Sequence, residues 1–335
     1  MGVRHADGAL LAVDAGNSKT DVALVGPDGA VLGAARGGGF QPQRTGVRSA
    51  VDGLAELVER AVAGAGTAGP GPLPYAARVQ ACLANCDLPV EEERLTAEIA
   101  ARGWGRVAVV ANDTFALLRA GLPDGGEPVG VAVVCGAGIN CSGLGPGGRT
   151  ARFPALGRFS GDRGGGTDLA EEALWWAARA ADGRGGPTAL ADALPARFGL
   201  DGMPALIEAL HLGAVAAERR HELVPVLFAV AAAGDPVARG IVARQAEEVV
   251  TMAAVALGRL GLLGAARVPV VLGGGVLAAR HPLLHEQVVA LLARRAPGAV
   301  PVVVTAPPVL GAALLALDRA GAPAAAYARL RAHYA

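Results

Sequence analysis

The sequence predicts an α/β protein made of two similarly organised units. Short apolar runs ended by glycine, proline or asparagine alternate with longer stretches of helical periodicity. Both halves also open alike: Leu10–Asp14 and Val129–Cys135 are each followed by a small-residue turn and a hairpin. Finally, 335 residues with 52% hydrophobic content suit two domains, each with a sizeable core.

In chain order, Leu10–Asp14 reads as a strand, Gly16–Thr20 as a turn and Asp21–Val25 as the returning strand. Pro27-Asp28-Gly29 turns the chain into a third strand, Ala30–Ala35. Val51, Leu54, Leu57 and Val58 share one face of a helix over Val47–Ala63, and Gly64–Pro74 is a Gly/Pro-rich connection. Arg78–Leu83 is a strand, Val90–Arg102 a helix, Arg106–Ala111 a strand and Phe115–Ala120 a helix. The second unit repeats the opening with Val129–Cys135, the turn Gly136–Gly138, a strand over Asn140–Leu144 and a turn at Gly145–Gly148. After the glycine-dense segment Leu156–Gly166, Asp168 is the expected N-cap of a helix running to about Ala181, with Glu171 completing a capping box. Asp235-Pro236 starts a helix that reaches about Leu260 along an apolar stripe from Ile241 to Leu257. Val268–Leu272 and Val300–Thr305 are strands; Pro282–Arg295, Leu310–Ala320 and Pro323–His333 are helices.

Composition removes several functional classes. Thirty acidic residues balance thirty basic ones without a long basic run, which argues against nucleic acid as the main partner. Aromatics are only 4%, too few for a single-strand stacking platform. No clean apolar run reaches membrane-spanning length, and the start lacks a secretory h-region. A soluble, cytoplasmic protein is expected. Cys82, Cys86, Cys135 and Cys141 have no zinc-ligand spacing and read as small buried residues near strand ends.

Lys19 is the single lysine. Ser18 precedes it and strands flank it, so it is not a Walker A lysine. Four segments place small or acidic residues at the carboxyl ends of predicted strands, where open α/β sheets bind ligands. They are Asp14–Thr20, Asn112-Asp113-Thr114, Gly136–Asn140 and Gly273–Gly275. Gly16, Asn17, Ser18, Lys19 and Thr20, and likewise Gly136, Ala137 and Gly138, are candidate phosphate cradles; ordinary tight turns are the alternative. Asp14 is placed to hold a hydrated Mg²⁺ through water. Asp113 is either a plain helix N-cap or a general base toward a substrate hydroxyl. Asp162 either accepts sugar hydroxyls or braces its loop by pairing with Arg158 or Arg163.

In this order and spacing the four segments resemble the sugar kinases of the actin/hexokinase/Hsp70 superfamily. The likeness is strongest to the N-acetylglucosamine kinase group filed with the BadF/BadG/BcrA/BcrD ATPases. The resemblance implies two ribonuclease H-like (actin-like ATPase) domains with an interdomain cleft. Residues 1–111 would form one domain and 112–335 the other, with the last helix, about 323–335, packing back on the first. It implies ATP and Mg²⁺ as cofactors, a sugar as small-molecule partner and a possible homodimer. Asp113 falls on the catalytic base and Gly273, Gly274 and Gly275 on the adenosine motif. Gln41, Gln43, Asn112, Asn140, Leu156, Gly157 and Asp162 fall on or beside the sugar contacts. This chain departs from the pattern at Ala137, at Gln41-Pro42, at Leu156 and at Arg163, where the family has Thr, Asn-His, Trp and Glu. Three of those four positions concern the sugar. An iron–sulfur activator ATPase and a non-catalytic sugar sensor are the alternative functions.

Overall fold

The computed structural model describes residues 8–66 and 71–335. Part of the Gly64–Pro74 connection, and the first residues, on which the absence of a leader was read, lie outside the described residues.

The first sheet begins with the fully buried strand β1 (Leu10–Ala15), then β2 (Lys19–Val25) and β3 (Val31–Gly38). A single turn, α1 (Pro42–Thr45), precedes α2 (Val47–Ala63), which packs Val51, Leu54, Leu57 and Val58 on the sheet. β4 (Ala76–Leu83), α3 (Pro89–Ala101), β5 (Gly105–Asn112) and α4 (Thr114–Gly121) follow. β1 pairs antiparallel with β2 and parallel with β4, giving the order β3-β2-β1-β4-β5.

The chain continues through β6 (Gly130–Cys135), β7 (Ile139–Leu144) and β8 (Thr150–Arg152). Helices α5 (Gly165–Ala181), α6 (Leu190–Ala196), α7 (Gly202–His211), α8 (Leu223–Ala232) and α9 (Pro236–Arg259) come next. Then follow β9 (Val268–Gly273), α10 (Gly274–Ala278), α11 (Pro282–Arg295), β10 (Ala299–Val303), α12 (Pro308–Ala320) and α13 (Ala324–His333). The second sheet has the order β10-β9-β6-β7-β8. Each sheet is therefore a three-strand meander continued by two later strands beside its first, which is the duplication expected from the two similar openings.

The chain separates into two compact units. One contains the residues up to 132 with 142–154 and 304–335; the other contains 133–141 and 155–303. In the first unit α12 packs on α4 and β1. Gly311 permits this approach, since a Cβ there would lie 1.7 Å from the Ala116 carbonyl oxygen. Arg119 on α4, 1% exposed, is held by Asp318 on α12 at 2.7 and 3.0 Å and by Asp124 at 2.9 Å. Among the described residues no single helix is long and apolar enough to cross a membrane; Ala217–Ala232 and Pro236–Arg259 reach that composition only as a pair bent by 112°.

One expected helix start is corrected. α5 begins at Gly165, so Asp168 lies inside its first turn and no capping box forms there. The orphan amides of that turn are satisfied elsewhere: Gly165 N–H donates to Gln245 Oε1 (3.0 Å), Gly166 N–H to the Gly136 carbonyl (2.7 Å) and Thr167 N–H to the Ala137 carbonyl (2.9 Å). Positive φ at Gly164 (129°) and Gly165 (87°) allows this entry. The Asp168 carboxylate accepts from Arg158 at 3.0 Å instead.

Candidate functional site

In the first unit, the register of β1, β4 and β5 aligns Asp14 with Cys82 and Leu83 with Asn112. Asp113 follows directly, and its N–H donates to the Leu83 carbonyl at 3.1 Å. Asp14 and Asp113 thus meet at the carboxyl edge of three adjacent parallel strands. Asp14 is 5% exposed and lies directly opposite Asp21 on β2. Arg36 on β3 neutralises Asp21 through contacts of 2.5 and 3.1 Å. Burial, then the charges of Asp113 and Asp21, hold the Asp14 carboxyl well above the usual range, and Lys19 opposes them. A cation would relieve that charge. Mg²⁺ usually takes one or two carboxylates and keeps several waters, so Asp14 fits the role.

Asp113 is the residue before α4, yet its side chain makes no capping bond. Asn112 takes that role: its Oδ1 accepts from Thr114 N–H (3.0 Å) and Thr114 Oγ1 (2.5 Å). Burial pushes the Asp113 carboxyl up to about 6, against the backbone amides of Thr114 and Asp113. The plain N-cap reading is therefore the weaker one for Asp113.

The turn after β1 is braced from three sides. Gly16 N–H donates to the Lys19 carbonyl (2.9 Å), and Phe40 N–H to the Gly16 carbonyl (2.9 Å). Asn17 accepts from Gln41 Nε2 on its carbonyl (3.2 Å) and from Asn85 Nδ2 on its side chain (2.8 Å). Gln43 Nε2 donates to the Asn85 carbonyl (2.8 Å) and to Glu91 (3.0 Å). Ser18 and Lys19 are exposed, while Thr20 is buried.

Four residues of this network were not singled out from the sequence: Asn85, Asp87, Glu91 and Arg152. Asp87 accepts from Asn112 Nδ2 at 2.9 Å, which ties it to the strand end carrying Asp113. Burial, then the Asp113 and Glu91 charges, push Asp87 up to about 7, against Arg152 and the Asn112 bond. Arg152 donates to the Cys86 carbonyl (2.6 Å) and pairs with Glu92. The only sequence signal was the acidic run beginning beside Pro89.

In the second unit, Gly136 N–H donates to the Gly138 carbonyl at 2.9 Å, closing a tight turn after β6. The turn sits on the start of α5, where a Cβ on Gly165 would fall 2.4 Å from the Gly138 carbonyl carbon. A Cβ on Gly136, Gly138 or Gly275 would meet nothing within 4 Å. Such open glycine backbone is what phosphate oxygens require. Gly274 packs on Cys135, with a Cβ position 2.5 Å from its carbonyl, and Gly273 caps α10. Asn140 Oδ1 accepts from Cys141 N–H (2.7 Å).

Leu156–Asp162 folds on itself. Asp162 N–H donates to the Gly157 carbonyl (3.1 Å), and Leu156 N–H to Ser160 Oγ (2.9 Å). The buried Asp162 carboxylate takes its bond from Ser160, so neither Arg158 nor Arg163 braces it. Those arginines engage Asp168 and Glu172 instead. Phe159, on the same loop, is 84% exposed.

All four cysteines are buried and free. Burial raises every one of their thiols, Cys86 and Cys135 to about 12. Such thiols are inert. Among the described residues no group of three or more His, Cys, Asp or Glu could hold a metal ion.

A profile of the BadF/BadG/BcrA/BcrD ATPase family matches residues 11–316. The chain belongs to the BadF/BadG/BcrA/BcrD ATPase family. The match runs from the strand carrying Asp14 to α12, taking in every candidate site segment. Solved structures agree on the fold. A candidate N-acetylglucosamine kinase from Chromobacterium violaceum superposes with a TM-score of 0.70 at 23% identity, over 92% of this chain and 99% of that one. A second, from Porphyromonas gingivalis, gives 0.62 at 19% identity over 93% and 99%. A ROK family glucokinase from Streptomyces griseus, solved with glucose and AMPPNP, gives 0.54 at 16% identity over 93% and 100%. No curated protein matches the sequence. This BadF/BadG/BcrA/BcrD ATPase thus has the actin-like fold of the sugar kinases.

Proposed function

We propose that the protein is an ATP-dependent kinase acting on a sugar hydroxyl, with an amino sugar such as N-acetylglucosamine as substrate. The carrying observation is Asp113, a partly buried carboxylate at a strand end, released from capping by Asn112 and held near 6. A base so tuned is ionised at neutral pH and accepts the hydroxyl proton as the phosphoryl group arrives. The open turns at Gly136–Gly138 and Gly273–Gly275 suit the phosphates and adenosine of ATP. Mg²⁺ would be held through water by Asp14 and would neutralise phosphate charge. Ser18 and Lys19, exposed at the first turn, add donors to the phosphates. The candidate sugar-binding residues are Asp162, Leu156, Gly157 and Asn140, and, in the other unit taken by itself, Asn112, Gln41 and Gln43. The names of the solved neighbours point the same way, toward N-acetylglucosamine in two and glucose in a third.

The test is ADP release with a panel of sugars. Turnover of an N-acetylated amino sugar by the wild type, lost in Asp113→Asn, supports the assignment; equal turnover by both ends it. A sugar sensor is the second reading. It is favoured by Ala137, whose methyl offers no donor in the second phosphate turn, and by a ROK family transcriptional regulator sharing the fold with a TM-score of 0.55. Binding of ATP and sugar without ADP release would select it.

A further inference from the structure

The second unit carries a recess of ≈ 230 Å³ between α5 and α9. One face of α9 lines it with Ile241, Gln245, Glu248 and Thr251; Gly164 and Leu169 line it from the α5 side. Gln245 is 3% exposed, and its amide orientation is fixed because Oε1 accepts from Gly165 N–H at 3.0 Å. Its Nε2 then has no acceptor among the described residues. A buried donor left so is uncommon and disfavoured unless something binds it. One helical turn on, Glu248 makes no ion pair among the described residues, and burial, then the Asp162 charge, raise its carboxyl against the opposing charge of Arg163. The arginines at the rim are already engaged: Arg163 and Arg244 both pair with Glu172. The recess therefore offers one unmet donor and one unmet acceptor, three residues apart on a single helix face.

We propose that this recess is a sugar subsite continuous with the Leu156–Gly166 loop, which takes a second, uncharged hydroxyl-bearing ring of the substrate. A hydroxyl suits both groups, its O–H donating to the Glu248 carboxylate and its oxygen accepting from Gln245 Nε2 once the recess wall yields at that buried atom. An ammonium has no lone pair for Nε2. An anion is opposed by Asp168, Glu172, Glu247 and Glu248, against only Arg163 and Arg244. Ile241 and Leu169 supply the apolar wall for a ring face. Asp162 stands two residues before Gly164, and its charge is felt at Glu248, so the recess adjoins the loop assigned to the first sugar. The inference rests on that assignment of the loop and extends it from a monosaccharide to a disaccharide.

The probes are N-acetylglucosamine and its β-1,4-linked disaccharide, titrated calorimetrically without nucleotide against wild type and Glu248→Gln. The disaccharide should bind the wild type about tenfold more tightly, and Glu248→Gln should erase that advantage while leaving the monosaccharide Kd unchanged. Equal affinities for the two sugars in the wild type overturn the subsite, as does an equal loss of both in the variant or no binding of either; the recess then holds a bridging water only. Parallel ADP-release assays separate the two readings. A disaccharide advantage that depends on Glu248, without phosphoryl transfer to any sugar, upholds the subsite and ends the kinase assignment. Monosaccharide turnover without that advantage does the reverse.

Discussion

Asp87→Asn should make the protein more stable at pH 8 and leave it unchanged at acid pH. The Asp87 carboxyl is raised from 3.8 to about 7, first by burial and then by the Asp113 charge. A group whose folded value lies above its unfolded value contributes its stability below about pH 4 and loses it as pH rises through 7. The difference is about 3 units, or about 4 kcal/mol at 1.36 kcal/mol per unit. Asp87 retains some solvent contact, so about half of that, roughly 2 kcal/mol, is the reasonable expectation. Asparagine keeps an acceptor for Asn112 Nδ2 and removes the charge facing Asp113, Glu91 and Arg152. At roughly 2–4 °C per kcal/mol for a unit of this size, the variant should melt about 4–8 °C higher at pH 8. Scanning calorimetry of both proteins at pH 4.5, 6, 7 and 8 measures this. A variant less stable than wild type at pH 8, or a difference that does not grow between pH 5 and 8, would refute the buried-charge account.

Asp113→Asn should lower kcat by about 10²–10⁴ with little change in sugar KM, read by coupled ADP release. Wild-type kcat/KM should rise about tenfold per pH unit below 6 and level off above it, because the Asp113 base is ionised only above about 6. A flat profile from pH 5 to 7 would remove that role. Arg119→Ala should cost about 3 kcal/mol, measured by urea titration, because it removes the guanidinium from the partly buried Asp318, while Asp124 keeps Arg331 at 2.6 and 3.0 Å. Gly165→Ala should lower Tm and also weaken ATP binding in calorimetry, since alanine is strained at a φ of 87° and its methyl would displace the Gly138 backbone.

Periodicity and turn chemistry were enough to read most elements in the sequence. α2 has its expected ends, because its apolar face and flanking glycines are local features. Asp235 caps α9 as expected, accepting from Ala238 N–H at 2.8 Å, because an Asp-Pro start is also local. The α5 start was misread because its capping group, Gln245, lies 80 residues away on another helix. Sequence logic assigned the cap to the nearest acid, Asp168, while Arg158 had the stronger demand for that carboxylate.

The site divides along the same line. Strand-end placement made Asp14 and Asp113 legible, because parallel strands bring their carboxyl ends together whatever the loops do. The residues that tune and brace them were hidden, since Asp87 matters through Asn112 and Asn85 through Asn17, partners 25 and 68 residues distant. The Arg163 charge reversal shows the converse. In the sequence it alters the sugar loop, yet the structure turns Arg163 onto Glu172, and among the described residues the Asp162 carboxylate takes its bond from Ser160. A reversed charge changes a binding site only if nothing nearby absorbs it, and here Glu172 does. Of the departures in the proposed sugar site, Leu156 and the Gln41-Pro42 pair are then the ones left to probe by substitution.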